Sequence, residues 1–344
     1  MRRLLLVNLG SPSSPEPEDV GVYLKQFLMD ESVIDINPLA RWILVNWLIV
    51  PKRKFASSEA YKSVWGKEGS PLVAFTRSFA QKLQQENPEW EVRWAMRYGI
   101  PSFEDELRKM LSENSAPIDI VPLYPQWAKS STGTCQKVID RVLKRKGSPC
   151  SVRVLQDFYD HRSLVHSFVE QIRLTTEEFR PDSLLFSFHG LPEHHIKEAD
   201  TSGKHCLLRS DCCAKVNSVN RFCYRAQCFA TARAIASELG DELKGYQVSF
   251  QSRLGRRPWI KPYTDLVIAD FVKCGSKRLL VCCPSFVADC LETLEEIQIR
   301  LREDFIRLGG EDLKLVPSLN AEEHWVKGFS EMMESEGLSW EKMG

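Results

Sequence analysis

The stretch Leu184-Leu185-Phe186-Ser187-Phe188-His189-Gly190-Leu191-Pro192 is a short apolar run that ends in a histidine, a glycine and a proline. A run of this length, bounded by turn-forming residues, is typical of a buried strand. Six other runs have the same character: Leu4–Val7, Val92–Met96, Ile118–Leu123, Val152–Leu155, Tyr246–Phe250 and Leu279–Cys283. We therefore predict that these runs are buried strands.

Longer amphipathic stretches separate these strands. They are Leu72–Gln85, Phe103–Ser112, Arg162–Phe179, Ala226–Leu239 and Phe286–Leu308. Alternation of strands and helices is typical of βαβ units and parallel sheets. Because 344 residues are about twice the length of a common domain, the pattern predicts an α/β protein with two domains.

The overall composition excludes several classes of protein. The chain has 46 Lys+Arg and 46 Asp+Glu, a formal net charge of zero, so we expect no general attraction to nucleic acid. The apolar run at the N-terminus stops at Asn8, too soon for a signal peptide. Since no run approaches the about 20 apolar residues of a spanning helix, we expect a cytoplasmic protein.

Residues 38–51 form an apolar segment that contains Trp42 and Trp47. The segment is too short to cross a bilayer. Two interpretations remain open at this point. It is a buried core helix, or it is an apolar lip for a greasy substrate, compatible with peripheral contact with a membrane.

Glycine, proline and polar side chains follow the ends of six predicted strands, which is where open α/β sheets bind ligands. His189 is one of them. Asp289, Glu292 and Glu296 come after another strand, with spacings of three and four that predict one helical face. A structural histidine and a solvated acidic face are the alternatives. A neutral imidazole facing a row of carboxylates can accept protons and guide a divalent cation.

Five of the 11 cysteines lie in one polar region. The stretch from Pro192 to Phe222 has no clear period, and so long a loop needs a stabilising element. Clustered thiols in a reducing compartment favour a metal site over disulfides.

Seven motifs, in order along nearly the whole chain, resemble the ferrochelatase family, whose members insert ferrous iron into a porphyrin. They are Leu6–Pro12; Glu68–Leu72; Met96–Gly99; Leu123–Trp127 with Ser130–Gly133; Phe188–Pro192; Gln251–Arg253 with Trp259 and Pro262–Asp265; and Pro284–Glu296. The resemblance implies two similar Rossmann-like domains with parallel sheets and a porphyrin cleft between them. We place the domains at 1–155, completed by 312–344, and at 156–311, with a cysteine-rich loop at 192–228.

The resemblance also implies roles for individual residues. His189 would be the essential imidazole and Glu292 would face it, with Asp289 and Glu296 extending a path for metal and protons. Arg97 and Tyr124 would belong to the same path. Expected porphyrin contacts are Trp259, Ser70, Ser130 and Arg53. Cys290 replaces a histidine of animal members, so that residue's role does not carry over.

Some ferrochelatases carry a [2Fe–2S] cluster. Animal members take most of its ligands from a C-terminal extension, and Lys129 stands where their remaining ligand is a cysteine. We therefore expect an internal cluster held by Cys206, Cys212, Cys213 and Cys223, because four thiolates suit such a centre. Structural zinc, with His205 as a further candidate ligand, and unligated thiols are the alternatives.

The expected substrates are Fe²⁺ and protoporphyrin IX, since the apolar segments Tyr23–Ile34 and Leu39–Val50 suit vinyl groups better than additional carboxylates. Coproporphyrin is the alternative substrate. A non-enzymatic haem or iron–sulfur sensor is the alternative function, and the sequence is compatible with a homodimer.

Overall fold

The structure of the protein is a computed structural model that describes residues 1–146, 150–242, 245–253, 255 and 257–344. The chain divides into two compact units. The first comprises Met1–Tyr124, Lys129–Asp157 and Ser335–Gly344, and the second comprises Pro125–Ala128 and Phe158–Glu334. Each is an α/β unit built on a largely parallel sheet, so the predicted fold class is confirmed.

The first unit contains a sheet in the order β2-β1-β3-β4-β9. Its strands are β1 (Arg3–Gly10), β2 (Glu91–Tyr98), β3 (Ile118–Pro122), β4 (Val152–Leu155) and β9 (Trp340–Met343). All pairs are parallel except β4 with β9. Leu4 to Val7 of β1 are fully buried, because a central parallel strand is covered on both faces of the sheet.

The helices of the first unit connect and cover these strands. They are α1 (Pro17–Leu28), α2 (Pro38–Ile43), α3 (Val50–Val64), α4 (Pro71–Glu86), α5 (Phe103–Glu113) and α6 (Thr132–Lys146). A π-helical segment, Leu44–Ile49, joins α2 to α3. Ser102 caps α5 by accepting a hydrogen bond from the Asp105 amide, which satisfies one of the free donors at the helix start.

The second unit contains an all-parallel sheet in the order β6-β5-β7-β8. Its strands are β5 (Ser183–His189), β6 (Tyr246–Gln251), β7 (Arg278–Cys282) and β8 (Asp312–Leu315). Its helices are α7 (Arg162–Phe179), α8 (Glu193–Glu198), α9 (Tyr224–Leu239), α10 (Thr264–Lys273), α11 (Leu291–Thr293), α12 (Arg302–Arg307) and α13 (Glu323–Glu334). Gly240–Glu242 forms a 3₁₀ turn, and Leu294–Leu301 is a π-helix.

The structure divides the C-terminal residues differently from the expected boundary. We expected 312–344 to complete the first domain, but β8 pairs with β7 and α13 packs against α7, all in the second unit. Only Ser335–Gly344 belongs to the first unit, where β9 pairs with β4. Neither β8 nor β9 was predicted, because charged residues interrupt both strands and leave no apolar run.

The predicted helix Phe286–Leu308 also differs from the structure. The helix begins only at Leu291 and passes through the π-helix Leu294–Leu301 before α12. Asp289 therefore lies before the helix. Because the π-helix widens the turn, the spacing of three and four does not place all three carboxylates on one helical face.

The alternative of a buried core helix for residues 38–51 is wrong. Leu39, Trp47 and Leu48 are 67%, 70% and 54% exposed, and Trp42 and Ile43 are nearly half exposed. Val45 is the fully buried apolar residue of this segment. We call Pro38–Pro51 the apolar lip from here on. In the described ranges, no helix is both long and apolar enough to cross a membrane.

Candidate active site

His189 is the last residue of β5 and lies at the carboxyl end of the second sheet. Its backbone amide donates to the Ser285 hydroxyl at 3.1 Å, and its ring meets Phe286 edge-on at 6.2 Å between centroids. Nδ1 lies 2.7 Å from the carbonyl oxygen of Gly190. A carbonyl oxygen only accepts, so Nδ1 carries the hydrogen in this contact. In the neutral ring, Nε2 then carries the lone pair and is the basic nitrogen.

The residue after His189 must be glycine. A Cβ atom on Gly190 would lie 2.6 Å from the Gln251 carbonyl oxygen and 3.2 Å from Cε3 of Trp259. The Trp259 segment is bound here through backbone contacts, with the Ile260 amide donating to the Leu191 carbonyl at 3.0 Å. The structure therefore brings Trp259 beside the chain that carries His189, as a half-buried aromatic surface.

Gln251 joins the strand end that carries His189 to the backbone of Glu292 and the carboxylate of Glu296. It pairs with His189 across β5 and β6. Its side-chain amide donates to the Glu292 carbonyl at 2.8 Å and to the Glu296 carboxylate at 3.2 Å. Its amide oxygen accepts from Ser187 at 2.8 Å, which fixes the orientation of the amide.

Ser252 binds Glu296 with both its backbone amide, at 2.8 Å, and its hydroxyl. Its φ angle is +64°, a left-handed conformation that is uncommon for a residue with a side chain. Strain of this kind is concentrated at functional sites. Gln251 and Ser252 belong to one of the family motifs but are not among the residues that the sequence predicts for the site. The Gln-Ser pair directly after a predicted strand is the pattern that could have indicated them.

The Asp289 carboxylate is bound by a different set of partners. It is 4% exposed, and its carboxylate accepts from Thr293 Oγ1 at 2.9 Å, from Asn320 Nδ2 at 2.8 Å and from the Ser318 amide at 3.3 Å. Asn320 also accepts from the Asp289 amide at 2.8 Å. With both carboxylate oxygens occupied by protein donors, Asp289 fixes the start of the helix that carries Glu292.

Cys290, which follows Asp289, is buried and hydrogen-bonded to the Glu292 side chain. Burial and the neighbouring Glu292 carboxylate raise the pKa of the Cys290 thiol well above its ordinary value. The thiol therefore stays protonated at neutral pH and does not replace the imidazole of animal members as a base.

In the first unit, Arg97 of β2 is held by two side chains that the sequence did not single out. Its guanidinium donates to Asp30 at 2.5 Å and to Thr134 Oγ1 at 3.0 Å, and the hydroxyl of Tyr98 also donates to Asp30 at 3.0 Å. The Tyr124 hydroxyl is buried, and it has no hydrogen-bond partner among the described residues. Burial raises the pKa of Tyr124 well above its ordinary value, so the phenol keeps its proton.

The three expected porphyrin contacts of the first unit lie on different elements. Ser70 is buried and directly precedes α4, although its side chain does not cap that helix. Ser130 is partly exposed in the turn before α6, and Arg53 is exposed on α3.

The four cysteines expected to bind a cluster are all buried, with exposures of 1% for Cys206, 3% for Cys212, 7% for Cys213 and 0% for Cys223. The Cys212 and Cys213 sulfurs are 3.7 Å apart, and further sulfur contacts link Cys213 to Cys223 and Cys223 to Cys206. Such convergence of four thiols within one loop fits a metal or cluster site.

The four sulfurs form a chain of pairwise contacts in the structure rather than one compact tetrahedron. A tetrahedral zinc with bonds of about 2.3 Å brings all four sulfurs within about 3.8 Å of one another. Within the described part of the chain, no three of these sulfurs are mutually within 4.8 Å. Nε2 of His205 lies 3.1 Å from the Cys212 carbonyl oxygen and donates to it, which leaves Nδ1 as the ring nitrogen with a lone pair for a metal ion.

Comparison with known proteins agrees with the resemblance. Residues 2–337 match the Ferrochelatase family model. The chain is 44% identical to a ferrochelatase of Bdellovibrio bacteriovorus and 45% identical to one of Pseudomonas entomophila, each alignment covering 96% of this chain and 98% of the relative. A solved structure of SirB from Bacillus subtilis with Fe³⁺ is similar in fold, with a TM-score of 0.55 at 11% identity over 97% of this chain and 95% of SirB. The chain belongs to the ferrochelatase family.

Proposed function

We propose that this chain is a protoporphyrin ferrochelatase, a lyase that inserts Fe²⁺ into protoporphyrin IX to form protohaem and releases two protons. Family membership supports metal insertion as its activity. One observation carries the assignment of the site. The basic Nε2 of His189 lies at a strand end that also holds Trp259, and Gln251 ties this strand end to Glu292 and Glu296.

The proposed role of His189 is to receive a pyrrole proton on Nε2. Iron forms bonds to the pyrrole nitrogens only after two of them lose their protons, so a base beside the macrocycle lowers the barrier. The Gly190 carbonyl holds the proton on Nδ1 and thereby keeps Nε2 available. We propose that Glu292 and Glu296 form the path for metal and protons, and we now assign Asp289 an anchoring role instead of a place in that path.

In the first unit, we propose that Arg97 and Tyr124 contribute to the same path. We propose that Ser70 and Arg53 contact the porphyrin propionates and that Ser130 contacts the porphyrin. The raised pKa of Tyr124 supports a role as a hydrogen-bond donor rather than as a base. Arg97 remains cationic in all relevant conditions, and its two fixed hydrogen bonds hold the charge in place.

The test of the catalytic proposal is His189→Ala. We expect iron insertion, followed under anaerobic conditions by metalloporphyrin absorbance, to fall at least a hundredfold, because general-base catalysis contributes about 10² to 10⁴. His166→Ala is the matched control, since His166 is exposed and pairs with Glu238 on the surface. Equal melting temperatures would show that both variants fold, and turnover by His189→Ala near the wild-type rate would contradict the proposal.

Protoporphyrin is the proposed substrate because the apolar lip exposes Trp42, Trp47 and Leu48, which suit vinyl groups. We expect kcat/KM for protoporphyrin IX to exceed that for coproporphyrin III. The reverse order would favour the coproporphyrin enzyme. Binding of either porphyrin without any metalloporphyrin product would favour the alternative of a haem or iron–sulfur sensor.

We also propose that the protein is cytoplasmic and that its apolar lip contacts the inner face of the membrane peripherally. Lys52, Arg53 and Lys54 follow the lip directly and would attract anionic headgroups. Replacing Trp42 and Trp47 by serine should reduce co-sedimentation with anionic vesicles. A homodimer is a separate proposal, and light scattering on the purified protein tests it.

We further propose that Cys206, Cys212, Cys213 and Cys223 hold a [2Fe–2S] cluster that takes no part in iron insertion. When bound, the cluster supplies a covalent cross-link between the loop and the start of α9. The purified protein should be brown, contain two iron and two sulfide per chain in addition to substrate iron, and give a paramagnetic signal on reduction. One zinc per chain without sulfide would establish the alternative.

A further inference from the structure

The guanidinium of Arg225, near the start of α9, contacts a proposed cluster ligand directly. Its Nη1 donates to the Cys213 sulfur at 3.0 Å. Its other two nitrogens, Nε and Nη2, donate to the Lys261 carbonyl at 3.3 and 3.1 Å. One side chain therefore links a cluster ligand to the segment that carries Trp259.

Packing holds this guanidinium in place. It lies over the ring of Phe229 at 4.7 Å and within 5.9 Å of the Phe250 ring. Cation–π contacts of this kind restrict a long side chain that would otherwise lose considerable rotamer entropy on binding. The hydrogen bond to Cys213 is thus pre-organised by the protein and does not depend on a flexible surface group.

Two other arginines near the cysteines have different acceptors. Arg209 pairs with Asp211 on the surface of the loop, and Arg233 donates to the backbone carbonyl of Cys213 at 3.0 Å. Each of these two guanidinium groups therefore has a different hydrogen-bond acceptor in the structure. Arg209 offers a control with the same charge in the same loop.

We infer that Arg225 is a positioning residue that raises the reduction potential of the iron–sulfur cluster by donating to the Cys213 sulfur. One-electron reduction adds a negative charge to the cluster, and a fixed positive donor on a ligand sulfur stabilises that charge. The inference rests on the proposed cluster. It adds a function for a residue outside the four ligands and outside the iron-insertion site.

The experiment compares the wild type with Arg225→Leu, Arg225→Lys and Arg209→Leu. Iron and sulfide are measured first, and the cluster is then titrated with dithionite in the presence of mediators, monitored by its electron paramagnetic resonance signal. At the wild-type midpoint, Arg225→Leu should shift the oxidised-to-reduced ratio at least tenfold towards the oxidised form, or 59 mV for one electron. Arg225→Lys should lie between the two, and Arg209→Leu should match the wild type.

Each outcome has a defined meaning. An Arg225→Leu cluster with the wild-type midpoint overturns the role of Arg225 and leaves the cluster proposal standing. If Arg225→Leu assembles no cluster, the midpoint potential of Arg225→Lys tests the inference. A wild-type midpoint in that variant overturns it. Wild-type protein without cluster iron and sulfide overturns the cluster and the inference together, whereas loss of iron insertion alone bears only on the catalytic proposal.

Discussion

Asp289→Asn distinguishes an anchoring role for Asp289 from a place in the proton path. Both carboxylate oxygens face donors, namely Thr293 Oγ1 and Asn320 Nδ2, and the Ser318 amide lies 3.3 Å from each oxygen. Asn320 cannot flip its amide without losing the bond from the Asp289 backbone. An asparagine at position 289 therefore loses at least one bond to a charged acceptor. Its NH₂ group either opposes Asn320 Nδ2 or faces Thr293 Oγ1, whose hydroxyl must then turn to the Cys290 carbonyl at 3.2 Å.

The loss of folding stability expected for Asp289→Asn follows from this geometry. A buried donor without a partner costs about 1 to 3 kcal/mol, and bonds to a charged acceptor are stronger than average. We expect Asp289→Asn to destabilise the protein by about 3 kcal/mol, which lowers the Tm of a unit of this size by about 6 to 12 °C. Asp270→Asn is the control, because Asp270 is exposed and pairs only with Lys273 at the surface; its effect should stay within about 0.5 kcal/mol.

The assay is thermal unfolding of the wild type, Asp289→Asn, Asn320→Ala and the double variant, with iron insertion measured on the same samples. Asn320→Ala should reproduce most of the loss, and the double variant should lose less than the sum, because both substitutions break the same contact. A Tm of Asp289→Asn within 2 °C of the wild type, together with a large fall in kcat, would refute the anchoring role and restore Asp289 to the path.

Three other outcomes are expected. Gly190→Ala should reduce stability by about 1 to 3 kcal/mol and impair insertion, because its Cβ meets the Gln251 carbonyl at 2.6 Å; an unchanged Tm contradicts this. Ser252→Gly and Ser252→Ala both lose the hydroxyl that binds Glu296, but the glycine variant should melt higher, since only glycine adopts the left-handed φ without strain. Asp200→Asn should speed hydrogen exchange of the three loop amides that Asp200 accepts from. Burial tends to raise the pKa of Asp200, but these bonds hold it well below its ordinary value. The ionised Asp200 carboxylate therefore stabilises the folded protein above about pH 3.9, and this stabilisation is lost as the pH falls further.

The fold was predictable because it depends on local patterns. Every predicted strand coincides with a strand of the structure to within three residues at each end, since a buried parallel strand must be a short apolar run whatever surrounds it. Helices Arg162–Phe179 and Phe103–Glu113 were predictable for the same reason, because an amphipathic period records which face is buried. The location of His189 at a strand end follows directly from this pattern.

The functional environment was less predictable because it depends on contacts distant in sequence. The spacing predicts Asp289 in one row with Glu292 and Glu296. In the structure, Asp289 precedes the helix and binds Ser318 and Asn320, which are about thirty residues away in sequence. The sequence likewise did not determine the exposure of the apolar lip, because an apolar helix has the same sequence pattern whether or not another element covers it.

The sequence by itself therefore determined the α/β class, the seven strands β1 to β7, the family and the identity of the candidate base and cysteines. Tertiary structure decided the partners of these groups. It showed that Gln251 joins the strand end of His189 to Glu292 and Glu296, that Nε2 is the basic nitrogen of the His189 ring, and that Arg225 reaches the Cys213 sulfur. The physical reason is that residue type and spacing set what a segment can form, whereas the pairing of its polar atoms is fixed only when distant segments pack together.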